Sequence, residues 1–359
     1  MTINYHLKEF ENLSDAERAS WSTIHGSNPS LASPYFHPEF TGAVASVRED
    51  VRVTVIESAG RAIGFFPFQR GRFGKGRPVG GPLSDFHGVI AEAGAEWSVA
   101  DLLRASRLSV WSFDHLIENQ DGFAAYRASE HRSPTIDVSE GYDAYIAGRR
   151  ADGSKQILKT EGLGRKLERE VAPMRVELDS RDPAVFEQVL AWKSEQCRET
   201  RLPDIFGVLW TRRLLERLFN TRGPDFAGVL SALYVGDELA AAHIGMRSRT
   251  VWHYWFPSYD EKYAKFSTGL LLLLRMAQAA PGMGIRLIDL GKGETMYKQR
   301  LMSGASTVWE GSIERSSLWT SGRRARRAVE AWSAASVLGK PLVLPLKAWR
   351  RIEQSRKFH

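Results

Sequence analysis

A single cysteine, Cys197, in 359 residues leaves no internal disulfide and no thiolate cage for a metal. Long apolar runs are also missing, since nothing approaches the roughly 20 residues that span a bilayer. The first residues lack the basic-then-apolar order of a secretory leader, so a cytoplasmic protein is expected. The nine histidines show no ligand spacing, and no metal is expected. There is no Gly-x-Ser-x-Gly elbow and no Walker-type phosphate loop, which sets aside elbow-serine hydrolases and P-loop chemistry.

Charge is scarce in one sense too: the formal +7 is not spread through the chain. Residues 316–359 hold ten Lys/Arg against two Asp/Glu, leaving 39 against 40 in the remainder. A neutral body with one cationic segment argues against a DNA-binding body. The segment carries Arg323, Arg324, Arg326 and Arg327, with Trp319, Trp332 and Trp349 interleaved. Two short amphipathic helices are expected there, broken at Gly339, Pro341 and Pro345. They suit an anionic membrane surface, which would place the protein peripherally at an inner membrane, or a phosphate-bearing nucleotide gripped by paired arginines. A solvated tail fits equally well.

What is present is ordinary globular material, 43% hydrophobic and 25% charged, long enough for two core-forming units. The most informative stretch is Lys265 to Met302. Ser267 or Thr268 is placed to cap a helix with an apolar body from Leu270 to Ala280, which Pro281 and Gly282 end. Arg286 to Leu290 reads as a strand, and Gly291-Lys292-Gly293 turns into a helix over Thr295 to Met302, started by Glu294. A small-residue turn feeding a helix N-terminus offers unpaired N–H groups to an anion. Upstream lie three strand-like runs, Gly228 to Val235, Leu239 to Arg247 and Val251 to Phe256, joined by short turns.

A similar hairpin pattern, Val51 to Glu57 and Ala62 to Gln69, follows a helix at Ser14 to Thr23 and suggests a degenerate first copy of the same unit. Arg70 to Pro82 reads as a surface loop, Val99 to Leu108 as a helix, and Ser109 to Leu116 and Ser133 to Val138 as extended segments. Arg149 to Arg169 is rich in Lys and Arg, with Gly162 and Gly164 weakening its helix. Asp182-Pro183 opens a helix with Val185, Phe186, Val189 and Leu190 on one side. Cys197 lies on that helix and reads as a packed thiol.

The order strand, strand, strand, anion-binding turn, helix, strand, helix is that of the GNAT (N-acetyltransferase) fold. Tyr259-Asp260, Tyr263, Phe266-Ser267-Thr268-Gly269-Leu270-Leu271, Asp289-Leu290-Gly291-Lys292-Gly293 and Tyr297-Lys298 resemble the CelD-type acyltransferases of bacterial exopolysaccharide synthesis, relatives of the Fem peptidyltransferases. The resemblance spans residues of about 20 to 312. It implies an α/β (α+β) chain of tandem GNAT-like domains with mixed central sheets plus a basic helical C-terminal tail. The spans expected are 1–148 (degenerate first domain), 149–172 (basic connector), 173–315 (acyltransferase domain) and 316–359 (tail).

It further implies acyl transfer, other than aminoacyl, from acetyl-CoA or another acyl-CoA as co-substrate, with no permanently bound cofactor. The acceptor is a sugar or nucleotide-sugar amine or hydroxyl. Aminoacyl transfer to a cell-wall peptide is the enzymatic alternative, and an effector reading cyclic di-GMP or a membrane through the tail is the non-enzymatic one. The donor site falls on Tyr254, Lys265, Phe266, Ser267, Thr268 and Gly269. The usual GNAT phosphate loop has more glycine and arginine, and this one offers only Gly269, so a carrier protein or aminoacyl-tRNA stays open as donor.

For proton handling, His243 leads, on the small-residue strand Ala240 to Gly245 that would face the cleft, with His253 behind it. Asp289, Tyr297 and Lys298 complete the catalytic candidates, and Asp85, His87 and Trp255 are assigned to the acceptor. The bland alternatives are a core imidazole for His243, a self-bonded turn for Asp85 and His87, and a surface lysine for Lys298. No activated nucleophile is visible, so direct attack in a ternary complex is expected.

Overall fold

The computed structural model describes residues 2–293 and 295–315. Glu294 and the basic segment with Arg323, Arg324, Arg326 and Arg327 lie outside the described residues. No helix among the described residues is long and apolar enough to cross a membrane.

The chain runs through the same sequence of elements twice. The first pass is β1 (Ile3–Lys8), α1 (Asp15–Ser27), α2 (Pro38–Ala45), β2 (Val51–Ser58), β3 (Arg61–Arg70), β4 (Lys75–Arg77), β5 (Ile90–Ala91), α3 (Val99–Ala105), β6 (Val110–Ile117) and β7 (Arg127–Asp137). Two helices, α4 (Tyr142–Ala151) and α5 (Gln156–Glu170), connect the passes. The second pass is β8 (Met174–Glu177), α6 (Pro183–Glu199), α7 (Leu209–Asn220), β9 (Phe226–Val235), β10 (Glu238–Ser248), β11 (Val251–Tyr259), α8 (Thr268–Ala279), β12 (Leu287–Asp289), α9 (Met296–Leu301) and β13 (Gly304–Glu314).

The pairing repeats as well. In each pass the early strands are antiparallel, and then one parallel pair appears, β4 with β6 and β11 with β12. A parallel pair needs a crossover, which α3 and α8 supply. The last strand of each pass is exchanged: β7 pairs with β12 and β13 pairs with β6. β7 and β13 then pair with each other, antiparallel, so the repeats merge into one thirteen-stranded mixed sheet. The expected tandem GNAT-like α/β fold is what the chain adopts, with its two sheets continuous.

Local sequence explains most elements. Ser14 and Glu17 form a reciprocal capping box at α1, and Asp182 accepts from Ala184 N to start α6, whose Val185, Phe186, Val189 and Leu190 are buried. Leu271 to Leu274 of α8 are all buried against the second sheet, at about 1.5–3 kcal/mol of hydrophobic stabilisation per side chain.

Gly162 and Gly164 do not break α5. Gly164 lets it approach α8, since a Cβ there would lie 2.9 Å from Leu271 Cδ2. The 70–82 stretch is not only loop, because it contains β4. Nor does either expected residue cap α8 through its side chain. Ser267 sits in the left-handed region (φ 56°), and Thr268 Oγ1 donates to Ala240 O at 3.2 Å.

Candidate active site

β11 and β12 pair only from Val251 to His253 and from Leu287 to Asp289. Beyond Asp289 the chain turns away at Gly291 (φ 75°), while β11 continues to Tyr259. A V-shaped opening therefore begins where His253 and Asp289 stand side by side. Strand alternation points both onto the sheet face opposite Trp252, Tyr254 and Ile288, which pack under α8.

At the apex is a buried charge cluster. His253 Nδ1 hydrogen-bonds Asp289 Oδ2 at 2.5 Å, and its Nε2 lies 3.2 Å from Asp85 Oδ2, held by charge rather than by a well-aligned hydrogen bond. Asp289 Oδ1 accepts from Ser133 Oγ of β7 (2.8 Å) and from Gly291 N (3.2 Å). Burial opposes a charged imidazole, but Asp289, by charge and hydrogen bond, and then Asp85 outweigh it and lift His253 to about 9. His253 is thus an imidazolium at neutral pH. Burial pushes Asp85 up, but His253 and then His115 and His87 outweigh it and hold the carboxylate below its usual range. With its side chain 22% exposed, Asp85 is the member of this triad that touches solvent.

Lys298, one turn into α9, is buried (9% exposed). Its Nζ donates to Gly291 O (3.0 Å) and Lys292 O (3.2 Å), which commits two of its three N–H bonds. Burial lowers its pKa and the Asp85 and Asp289 carboxylates oppose the shift. Gly291 holds the pieces together: a Cβ there would lie 3.2 Å from Asp85 Oδ2 and 3.8 Å from Lys298 Nζ. Tyr35 closes the apex from the first repeat, its ring edge-on to His253 at 5.0 Å and its hydroxyl buried.

The other sequence candidates fall elsewhere. His243 does not face the cleft. It is fully buried, stacked on Tyr254 with ring centroids 4.5 Å apart, and its Nε2 accepts Trp255 N–H at 3.2 Å at a bulge in the β10–β11 pairing. Burial, then the charged His253, push it down to about 3, so it is a neutral plug in the sheet. Tyr254 is buried too, with Oη on Gly269 O at 3.3 Å. Phe266 and Thr268 are buried, whereas Lys265 is exposed over the Phe266 ring at 4.8 Å. Gly269 and Ser267 lie at the start of α8 and are half-buried. Tyr297 is half-buried against the α8 core, and burial lifts its hydroxyl to about 12. Trp255 is half-buried, stacked on Phe256 at 4.5 Å.

His87 is buried near Asp85 but does not reach His253. Its Nε2–H donates to Ser84 O (2.9 Å) and its Nδ1 accepts His115 N–H (3.2 Å). His87, Asp114 and His115 bring ligand-type atoms within 4.8 Å of one another, a cluster that no sequence spacing flagged. Both His87 nitrogens are already engaged and the Lys292 ammonium sits on Asp114 O at 2.9 Å, so this arrangement serves hydrogen bonding rather than a cation. Sequence reasoning also missed Tyr35, Ser133, His115 and Asp114, and ranked His253 second. No local signal marks them, because their partners come from distant segments.

A cavity of about 250 Å³ lies on the other side of Asp289, walled by Ser30, Ser33, Phe86 and Asn119 of the first repeat and Thr307 of β13. It shares the Asp289 wall with the charge cluster.

This is the arrangement of a GNAT-type acyltransferase fold, with a split parallel pair in the second repeat and polar groups gathered at the split. Residues 158–299 match the acetyltransferase (GNAT) domain family. No curated protein matches the chain. Among solved structures it is similar to FemX, at 8% identity and a TM-score of 0.58 over 87% of this chain and 96% of that one. It is also similar to the C-terminal domain (DUF2156) of an Agrobacterium fabrum protein described as a lysylphosphatidylglycerol synthetase (10%, TM-score 0.54, 84% and 93%). A conserved protein of unknown function from Bacteroides thetaiotaomicron matches at 11% and a TM-score of 0.50 (84% and 99%). These likenesses concern the fold. The acyl-CoA donor that GNAT domains use is the co-substrate expected.

Proposed function

We propose that the protein transfers an acyl group, acetyl first, from an acyl-CoA in the β11–β12 opening to the amine or hydroxyl of a sugar destined for a bacterial exopolysaccharide. The observation that carries this is the Asp85–His253–Asp289 triad with Lys298 at the apex of the opening, where a thioester carbonyl would end. Acyl transfer needs a proton acceptor for the nucleophile and a donor for the developing oxyanion. His253, charged and clamped by two carboxylates, positions Asp85 rather than acting as the base. Asp85, reached by solvent, takes the proton. Lys298 has one N–H left for the oxyanion. The donor's phosphates would meet the first turn of α8 around Ser267 and Gly269, with Lys265 as a nearby cation. The cavity behind Asp289 mixes hydroxyl, amide and carboxylate groups with Phe86 and aliphatic side chains, a lining that suits the polar and apolar faces of a sugar acceptor.

Aminoacyl transfer is the second reading, favoured by the likeness to FemX, an aminoacyl transferase. The test is free-thiol release from acetyl-CoA with amino sugars as acceptors, run beside aminoacyl-tRNA as donor. Lys298→Met should lower kcat by about 10²–10³. No thiol release from any acyl-CoA by folded protein, with transfer from aminoacyl-tRNA, moves the assignment to the second reading.

A further inference from the structure

Transfer to a protonated amine consumes R–NH3⁺ and thioester and yields amide, CoA thiol and one proton, so each turnover must export a proton from a buried apex. This rests on the acyltransferase reading above. Asp85 receives it, and apart from the edge of Asp85 that meets solvent itself, the described groups around it leave few ways onward. His253 has both ring nitrogens on carboxylates, both Asp289 oxygens are occupied, and Lys298 Nζ is tied to the Gly291 and Lys292 carbonyls.

The other neighbour is on the first repeat. His115 Nε2 of β6 lies 3.5 Å from Asp85 Oδ1, and His115 Nδ1 lies 3.0 Å from Asp114 Oδ1. The His115 side chain is 12% exposed, whereas that of Asp114 is 48% exposed. Polar groups therefore run from the apex to water as Asp289, His253, Asp85, His115 and Asp114. We propose that His115 is the proton exit of the active site, taking the proton from Asp85 and passing it through Asp114 to solvent.

The step balances without any further reactant. The step starts with a His115 proton on Nδ1, donated to Asp114. The Nε2 lone pair takes the proton from the Asp85 carboxyl, and the Nδ1 proton leaves through Asp114 to water. The ring then regains its first tautomer by exchange with solvent. The 3.5 Å gap exceeds a hydrogen bond, but such catalytic contacts tighten once substrate is bound.

The other charged groups around His115 fit this role. The His87 ring is edge-on at 5.5 Å with Nε2–H fixed on Ser84 O, so it cannot carry the proton onward. Lys292, from the turn after β12, holds the Asp114 backbone carbonyl, and the His115 hydrogen bond, the two neighbouring imidazoles and the Lys292 ammonium together outweigh burial to keep the Asp114 carboxyl low and ready to discharge. On β13, Glu310 faces away, 3.5 Å from His131. The first repeat thereby supplies both the base and its outlet.

Chemical rescue of the full chain tests this. His115→Ala should lower kcat for amine acceptors by about 10²-fold with the donor KM unchanged, and added imidazole should restore it in a concentration-dependent way. Unimpaired turnover, or a loss that imidazole does not restore, overturns the proposal. A second measurement needs no turnover: histidine side-chain NMR should show the His115 titration moving in both Asp85→Asn and Asp114→Asn. An unmoved titration in either variant sinks the relay even if acyl transfer is established. Wild type that releases no thiol while the coupling persists instead overturns the acyl-transfer reading, and the relay with it.

Discussion

His243 and His253 sit ten residues apart on neighbouring strands, and their fates are opposite. His243 fills a bulge and is pushed to about 3, whereas His253 is raised to about 9 by two carboxylates. The difference comes from partners, Asp85 in the first repeat and Asp289 on β12, which no window of sequence around either histidine contains. Asp289→Asn should therefore leave a buried imidazolium half-paired and cost about 3–5 kcal/mol of stability in urea titrations. The pH sign follows from the raised value. The His253 contribution is complete below its reference of about 6.5 and lost as pH rises through about 9. The gap between wild type and Asp289→Asn should accordingly narrow over that interval, and a gap that stays flat or widens removes His253 from the account.

Elements follow the same division between local signal and distant contact. The strands and helices with clear periodicity or caps, β9 to β11, α1, α6 and α8, could be read with boundaries shifted by a few residues. α2, α7, β4, β5, β8 and β13 were not read from the sequence; β4, for one, is three residues long and pairs in parallel with a strand on the far side of a crossover. Glycines show where elements touch. At Gly228 on β9 a Cβ would overlap the backbone carbonyl of Leu218 near the end of α7. A backbone atom cannot swing aside as a side chain does, so Gly228→Ala should push α7 from the sheet. The expected loss is about 3 kcal/mol, at the upper end for overpacking, measured as a lowered denaturation midpoint with unchanged slope. An unchanged midpoint would show that α7 tolerates the displacement.

At the scale of the molecule, the exchange of β7 and β13 decides how the chain behaves. Each repeat borrows its last strand from the other, so either half alone would lose a strand from its sheet and leave an unpaired edge beside its parallel pair. Urea unfolding followed by tryptophan fluorescence and by circular dichroism should give one coincident transition for the full chain. Residues 1–148 expressed alone should not fold cooperatively. Two separated transitions would mean that the continuous sheet does not couple the repeats. Coupling also places Asp85, Tyr35, His115 and Asp114 of the first repeat against the split of the second.

By itself the sequence determined the fold class and the duplication, through hairpin order, the apolar body of α8 and the Gly291 turn. It also pointed to Asp85, Asp289 and Lys298, which cluster at the split. These are properties of short windows, where period and turn chemistry act locally. Only the tertiary structure decided which histidine is charged, which carboxylate meets solvent and which repeat serves the other. Protonation and exposure depend on charges and burial brought together by β7 and β13, from positions on either side of the connector.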